Sequence, residues 1–445
     1  MIFLTITGSF TAAIIYDRQE KRRVQQKWCD LVAHLAREPL DVEMTRRKLT
    51  VFLEAPPGDS LRMAREYFRG YVKPVLVAAA IDYTIVEGRR EGDVRAALAE
   101  KIRKFRRCAG EPSSVTEEVV TEDIIADARK KIGIHEEPGP KGDVVIGRHA
   151  WKEYIRGLHE GWLGPLDPPP PPPPAPASAP EVSSVDDASP VSGASEDQAA
   201  PEDKKKEEEE EEKKKEESKP GGPTPAYITP DDYSSRSLPK SIPQTFQGSV
   251  AIPFPHILGF SNTPIRIYRY LTQRYLADSV GREVAAIVLS ASDRPYRDGP
   301  SGNDDSNSTA GSSDLLDASP VSPSDAPSPE KNYELRHLLE REEPEWPKSV
   351  RQRREGPDWK GESEWLDDMV LDPRIASRMR RDTVSPQDEA RSERIGEGKE
   401  YVMGMERPQH VPFWKRVWIK YGFGEDEETL KKKPIIGNLD GEAGP

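Results

Sequence analysis

The hydrophobic positions change period several times along the chain, and each change predicts an element. Residues 2–16 (IFLTITGSFTAAIIY) are an uncharged apolar run. The first charge is Asp17, and Arg18, Lys21, Arg22, Arg23 and Lys27 follow it closely. Residues 49–54 (LTVFLE) read as a short buried strand stopped by Pro56-Pro57-Gly58. Asp59 or Ser60 can cap the next helix, whose apolar face is Leu61, Ala64, Phe68, Tyr71 and Val75, with Pro74 bending or ending it. Ile81, Tyr83 and Ile85 alternate as a strand does, and Gly88 breaks the pattern. A second helix gathers Val94, Leu98, Ile102 and Phe105 on one face and leaves Arg95, Lys101, Arg103, Lys104, Arg106 and Arg107 off it. This β-α-β-α rhythm predicts an α/β layer.

Residues 143–146 suggest another strand, and Trp151, Tyr154, Ile155, Leu158 and Trp162 mark an amphipathic helix. Order then stops at seven consecutive prolines (168–174), an extended and stiff sequence. The run KKKEEEEEEKKKEE (204–217) can form a solvated helix through i,i+4 pairs but buries nothing. The pattern resumes at 250–257, continues as a helix with Ile265, Tyr268, Leu271, Tyr275 and Leu276 on one face, and reaches the strand-like AAIVLS at 285–290. Residues 331–423 are rich in charge, yet hold Trp346, Trp359, Trp365, Trp414 and Trp418. In FWKRVWIKYGF, Trp414, Val417, Trp418 and Tyr421 share a helical face with Lys415, Arg416 and Lys420 off it. Such a helix could rest on an anionic membrane, dock on a protein, or pack back on its own domain.

The expected fold class is α/β: one N-terminal transmembrane helix followed by a small α/β domain interrupted by long disordered, low-complexity segments. The divisions read from the pattern are an anchor at 1–17, a first part of the domain at 18–167 and a Pro-rich and Glu/Lys-rich insertion at 168–225. A second part follows at 226–290, a linker at 291–330 and a charged, Trp-containing C-terminal region at 331–445. Composition supports that economy. The 445 residues include 43 prolines, 32% are charged and only 35% hydrophobic, so much of the chain cannot enter a core. The net charge of −13 argues against non-specific nucleic-acid binding. Cys29 and Cys108 form no CxxC and no metal-ligand spacing.

The opening run does not suit a secretory signal, which carries its basic residues ahead of the apolar stretch. Nor does it suit a mitochondrial presequence, since residues 2–16 have no polar face beyond threonine and serine. An uncleaved anchor fits better. Its apolar part makes a helix of roughly 22 Å against a hydrocarbon core of ~30 Å. Either the helix is buried in a soluble core, or the span is completed by residues upstream of Met1. The basic flank favours the membrane. Gly8 and Ala12, like Ser9 and Ala13, stand four apart, a spacing that lets a second helix approach in lipid.

Catalytic motifs are weak. GFSNT (259–263) lacks the final glycine of a nucleophile elbow, and His135-Glu136 and His159-Glu160 lack the second histidine of HExxH. PPGDS (56–60) could hold an anion at a helix N-terminus, though a tight turn with a cap explains it as well. No catalytic, cofactor-binding or metal-ligating residue is nominated.

Five strings carry a resemblance: ITGSFTAAIIYDR (6–18), QKWCDLVAHLA (26–36), KLTVFLEAPPGDSL (48–61), YVKPVLVAAAIDY (71–83) and VEGRREGDVRAALAEKIRK (86–104). They resemble the fungal form of the large single-span Tim subunit of the mitochondrial inner-membrane carrier translocase. The likeness is dense over 2–107, thinner over 143–166 and 250–290, and slight in the low-complexity stretches. It implies one span, a short matrix-side end and a main domain in the intermembrane space. It implies a part in inserting multispanning carrier-type precursors, beside a channel-forming subunit, small chaperone Tim subunits and inner-membrane lipid. It brings no cofactor and no catalytic residue. Family members carry residues ahead of the span, whereas this chain begins inside it. A simple positive-inside reading would put the basic side at 18–27 in the matrix, and the family puts it in the intermembrane space.

The function expected is that of a non-enzymatic translocase subunit, a membrane-tethered scaffold or docking site for chaperone-bound clients. Its span consists of Ile2, Phe3, Leu4, Ile6, Gly8, Phe10, Ala12, Ile14, Ile15 and Tyr16. Direct docking would fall to Arg95, Arg103 and Arg107 on the basic helix and to Trp414 and Trp418 near the C-terminus. The competing expectation is a membrane-anchored α/β enzyme, hydrolase- or thioredoxin-like. Its mark would be Ser261 or Cys108 beside a histidine in a pocket.

Overall fold

The structure is a computed structural model, and it describes residues 2–114, 121–137, 141–168, 225–297, 333–352, 363–405 and 412–421. The proline run beyond Pro168, the charge run at 204–217, residues 298–330 and Trp359 lie outside these.

A two-residue parallel pair, β1 (Met44–Thr45) with β4 (His135–Glu136), stands apart from the main sheet. That sheet has six strands: β2 (Lys48–Glu54), β3 (Asp82–Gly88), β5 (Gly142–Ile146), β6 (Gly248–Ile252), β7 (Ser292–Pro295) and β8 (Arg380–Thr383). Their spatial order is β3-β2-β5-β6-β8-β7, parallel throughout except for the antiparallel edge strand β7. The expected α/β class holds.

Alternation assigns side chains to two cores. Leu49, Val51 and Leu53 of β2, Val144 and Ile146 of β5, and Val250 and Ile252 of β6 face one layer. Phe52 and Val145, between them, face the other. The first layer consists of the end of α1 (Ile2–Val32), α2 (Leu61–Tyr67), α3 (Lys73–Ala78) and a long helix after β6. The second is built by α4 (Asp93–Cys108) and α6 (Arg148–Leu163), with Leu335, Leu371, Ile375 and Met379 closing it. α5 (Thr121–Ile132) lies in the β3–β5 connection. α4 and α6 cross closely because Gly157 and Gly161 lack side chains: a Cβ on Gly161 would lie 2.7 Å from the Cβ of Ile102.

Two elements differ from expectation. The strand expected at 285–290 is the end of a helix: α7 (Thr263–Tyr270) is followed by α8 (Gln273–Leu289). Ala285, Ala286, Ile287 and Val288 are all buried, between the sheet and α1, and a helix apolar on every side shows no 3.6 period to distinguish it from a buried strand. The single helix expected over 61–75 is α2 and α3 joined by a π-helical segment, Phe68–Val72, with Pro74 in the first turn of α3. Proline has no N–H for the regular ladder, and the wider turn before it absorbs the break.

Strand β8 carries no apolar alternation in Arg380-Arg381-Asp382-Thr383, so nothing in the hydrophobic pattern announced it. Its half-buried Arg381 pairs with Glu334 at 2.7 Å and Glu283 at 3.1 Å.

Candidate functional site

α1 is one continuous helix of 31 residues, roughly 46 Å long. Its last turns belong to the core. Trp28, Leu31 and Val32 are buried, and the Trp28 Nε1 donates to Asp278 at 2.9 Å. Lys27 pairs with the same carboxylate at 2.8 Å and lies 4.4 Å over the indole. Gly281 of α8 makes room for that indole, since a Cβ there would fall 2.3 Å from the Trp28 Cδ1. Higher up, Asp17 is buried and accepts from the Gln273 backbone N–H at 3.1 Å and the Arg274 guanidinium at 3.2 Å. The first charge in the chain therefore caps the N-terminus of another helix, whose own N-cap Thr272 makes no side-chain capping bond. Lys21 donates to Gln273 at 2.9 Å and sits 4.0 Å over Tyr71; burial lowers its pKa against the pull of Asp17.

Before Asp17 the same helix is bare. Phe3, Leu4, Ile6 and Ile15 are each more than 60% exposed (75%, 68%, 62% and 66%), and Phe10 and Tyr16 are exposed as well. Ile14 is half-buried, and Gly8 and Ala12 are exposed. The side chain of Ile2 lies outside the described residues. The hydroxyls of Thr7, Ser9 and Thr11 donate back to the carbonyls of Phe3, Ile6 and Thr7 at 2.9, 2.9 and 3.0 Å. These three hydroxyls are thus satisfied within the helix. No helix among the described residues is long and apolar enough to cross a membrane.

The carboxyl ends of the strands are where a doubly wound sheet normally binds a ligand, at the point where chain connections reverse direction. Here that point lies between β2 and β5, and the chain fills it itself. The Glu342 carboxylate accepts from the backbone N–H of Arg148, at the start of α6 (2.8 Å), and of Phe254, after β6 (2.6 Å). Glu153 accepts from Gly92 (2.6 Å) and Val94 (3.0 Å) at the start of α4, and from the Trp365 Nε1 (3.0 Å). The N-termini of α4 and α6 therefore both hold glutamates where a phosphate would sit. The PPGDS turn is engaged too: Asp59 pairs with His256 at 3.2 Å, and Gly58 lies under Pro347.

Burial raises Glu54, at the end of β2, well above the usual carboxylate range, reinforced by Glu153, Glu364 and Glu91 around it. Burial also raises Glu342 to about 7 despite its two backbone donors. His149 and His159 are held near 4, neutral, by burial.

The residues nominated for docking divide into two groups. Arg95 and Arg103 are buried against α6, both paired with Glu160, and Arg95 also with Glu364. The Arg103 guanidinium lies 3.6 Å over the Tyr227 ring. Arg107 is half-buried and pairs with Glu100 at 2.6 Å. These arginines face inward because the two α6 glycines let the helices approach until the arginine stems are covered. Trp414 and Trp418 lie on the helix Phe413–Tyr421 and are 79% and 67% exposed.

Ser261 and Cys108 are exposed, and among the described residues neither has a histidine partner; Cys29 and Cys108 are free thiols. Burial pushes the Cys29 thiol up to about 11. No group of histidine, cysteine, aspartate or glutamate among the described residues could hold a metal ion.

Comparison with known proteins agrees with the sequence resemblance. The family model described as inner membrane protein import complex subunit Tim54 matches residues 1–382. A mitochondrial import inner membrane translocase subunit tim54 of Aspergillus fumigatus is 64% identical over 449 residues, covering 100% of both chains. The tim54 subunit of Neurospora crassa is 44% identical, covering 98% of this chain and 86% of that one. The TIM54 subunit of Candida albicans is 32% identical, covering 85% of this chain and 91% of its own.

Proposed function

The chain belongs to the Tim54 family of inner membrane protein import complex subunits, and from that membership we propose how its parts divide the work. It is a non-catalytic subunit of the mitochondrial inner membrane translocase. The first half of α1 enters the inner membrane as a single anchor. The α/β domain stands in the intermembrane space and serves as a docking scaffold where chaperone-bound, multispanning carrier precursors meet the channel-forming subunit. Trp414 and Trp418 are the exposed contacts of that scaffold; the basic residues Arg95, Arg103 and Arg107 stabilise it from within or at its edge.

One observation carries this reading: a single continuous helix is exposed and apolar on one side of Asp17 and built into a folded core on the other. Such a helix transmits position from lipid to domain without a hinge. Its apolar part is roughly 22 Å, shorter than a ~30 Å hydrocarbon core, a mismatch a bilayer meets by local thinning and by snorkelling flanks such as Arg18. The closed carboxyl-end crevice favours a scaffold over an enzyme.

The test uses mitochondria carrying a C-terminally tagged full chain. After alkaline carbonate treatment the protein stays in the membrane pellet, and rupturing the outer membrane exposes its tag to added protease. Mild-detergent purification recovers channel-forming and small chaperone Tim subunits. Release by carbonate would sink the anchor, and purification without translocase components would sink the docking role.

A further inference from the structure

We propose that the loop and helix after β6, residues 258–270, lie in the headgroup layer of the bilayer that α1 enters, forming a second, in-plane contact with anionic phospholipid. This rests on reading residues 2–16 as the anchor.

Position comes first. Arg18 donates to the Tyr270 hydroxyl at 3.2 Å, and the Arg274 guanidinium lies 5.5 Å over the Tyr16 ring. The end of α7 is therefore level with the last turn of the apolar half of α1. Asp17 fixes that level by capping α8, which starts three residues beyond the end of α7. A bilayer around residues 2–16 would have its surface at this height.

Composition and exposure come second. α7 has no buried residue, although Ile265, Ile267, Tyr268 and Tyr270 make up half of it. All four are exposed, and Phe260, just before the helix, is 94% exposed. Isolated exposed apolar residues are ordinary. A cluster of them on one short element, continuous with an exposed apolar stem, marks an interaction surface. The stem identifies the occupant, because both must be covered by the same medium.

Chemistry comes third. Tyrosine rings suit the acyl boundary while their hydroxyls reach the headgroups, and arginine is the natural partner of lipid phosphate. Arg18 and Arg266 are exposed among these rings, and Arg22 and Arg23 follow one turn further down α1. Basic residues are attracted to a negatively charged membrane surface, so the contact should depend on anionic lipid.

The experiment uses the full chain with Cys29 and Cys108 replaced by alanine, reconstituted into phosphatidylcholine vesicles with or without phosphatidylglycerol. Nitroxide labels are placed one at a time through Ile6→Cys, Phe260→Cys, Tyr268→Cys and Val42→Cys. Collisions with oxygen, which partitions into lipid, are compared with those of a water-soluble nickel chelate. The Val42 side chain is 99% exposed and supplies the aqueous reference. We expect the oxygen-to-nickel ratio at positions 260 and 268 to stand severalfold above that at 42 and below that at 6. Arg266→Glu should lower it in vesicles containing phosphatidylglycerol. If labels at 260 and 268 match position 42 while position 6 is lipid-exposed, the in-plane contact is wrong and the anchor stands. Shielding of 260 and 268 from both probes would mean a protein covers them and overturns the proposal. Equal ratios with and without phosphatidylglycerol would remove the role of anionic lipid. An aqueous ratio at position 6 removes anchor and contact together.

Discussion

The two halves of α1 share a backbone geometry and differ in almost everything else. Up to Tyr16 no side chain is charged, the large ones are apolar, and most of those described are exposed. From Asp17 onward charge and apolar residues alternate with helical period, and the apolar ones disappear into the domain. Small residues show the contrast most sharply. A Cβ on Gly8 would meet nothing within 4 Å, whereas one on Gly281, facing the second half, would collide with Trp28. The helix keeps its form while its packing changes abruptly, and Asp17 marks the boundary between the half outside the domain and the half built into it.

The sharpest way to break that contrast is Trp28→Ala. It removes a fully buried indole and its bond to Asp278, and should cost about 3–5 kcal/mol, read as a fall in the thermal unfolding midpoint of the detergent-solubilised protein. Phe3→Ala and Ile6→Ala should leave that midpoint unchanged and weaken carbonate-resistant retention instead. If all three behaved alike, the division of α1 would be false.

The halves also differ in how they respond to pH. The apolar half has no charged residue, so pH acts on the domain. Glu54 has a folded pKa raised well above its ordinary value of 4.5 by burial and then by Glu153. Between those two values the folded state keeps a proton that the unfolded state releases. Stability contributed by this group therefore falls as pH rises through the window and levels off above it. Glu54→Gln mimics the protonated form and should flatten the decline, raising the midpoint at pH 8 more than at pH 5. A gain equal at both pH values would show that Glu54 is ionised in the fold.

Smaller effects refine the boundary. Gly281→Ala should cost about 1–3 kcal/mol by pushing Trp28 from its seat, while Gly8→Ala should cost nothing in the same assay. Asp17→Ala removes the cap of α8 and should cost about 0.5–2 kcal/mol, the smallest loss among the substitutions on the domain side of the boundary. An unchanged midpoint for Asp17→Ala would mean that the capping bonds are replaced by water.

Much of this molecule was legible before its coordinates. The strands at 49–54 and 143–146 read from short apolar runs, and the helical faces around Leu98 and Trp151 from the spacing of their apolar residues, because both signals lie within a few neighbouring positions. The apolar run and the family strings near the N-terminus are equally local. Other features have no local signature. Residues 285–289 end a helix whose outer side α1 covers, and nothing in their own sequence records that α1 is there. Arg95 and Arg103 read as docking contacts, yet both are buried and paired with Glu160 on the neighbouring helix.

The sequence by itself determined where the chain is apolar, where it can fold and which family it joins, because composition and period act between near neighbours. Only the tertiary structure decided that α1 continues unbroken past Asp17, that Glu342 and Glu153 close the crevice, and that a charged strand, β8, extends the sheet. Those outcomes depend on partners up to hundreds of residues away. A buried carboxylate or an inward arginine is stable only once its partner has arrived.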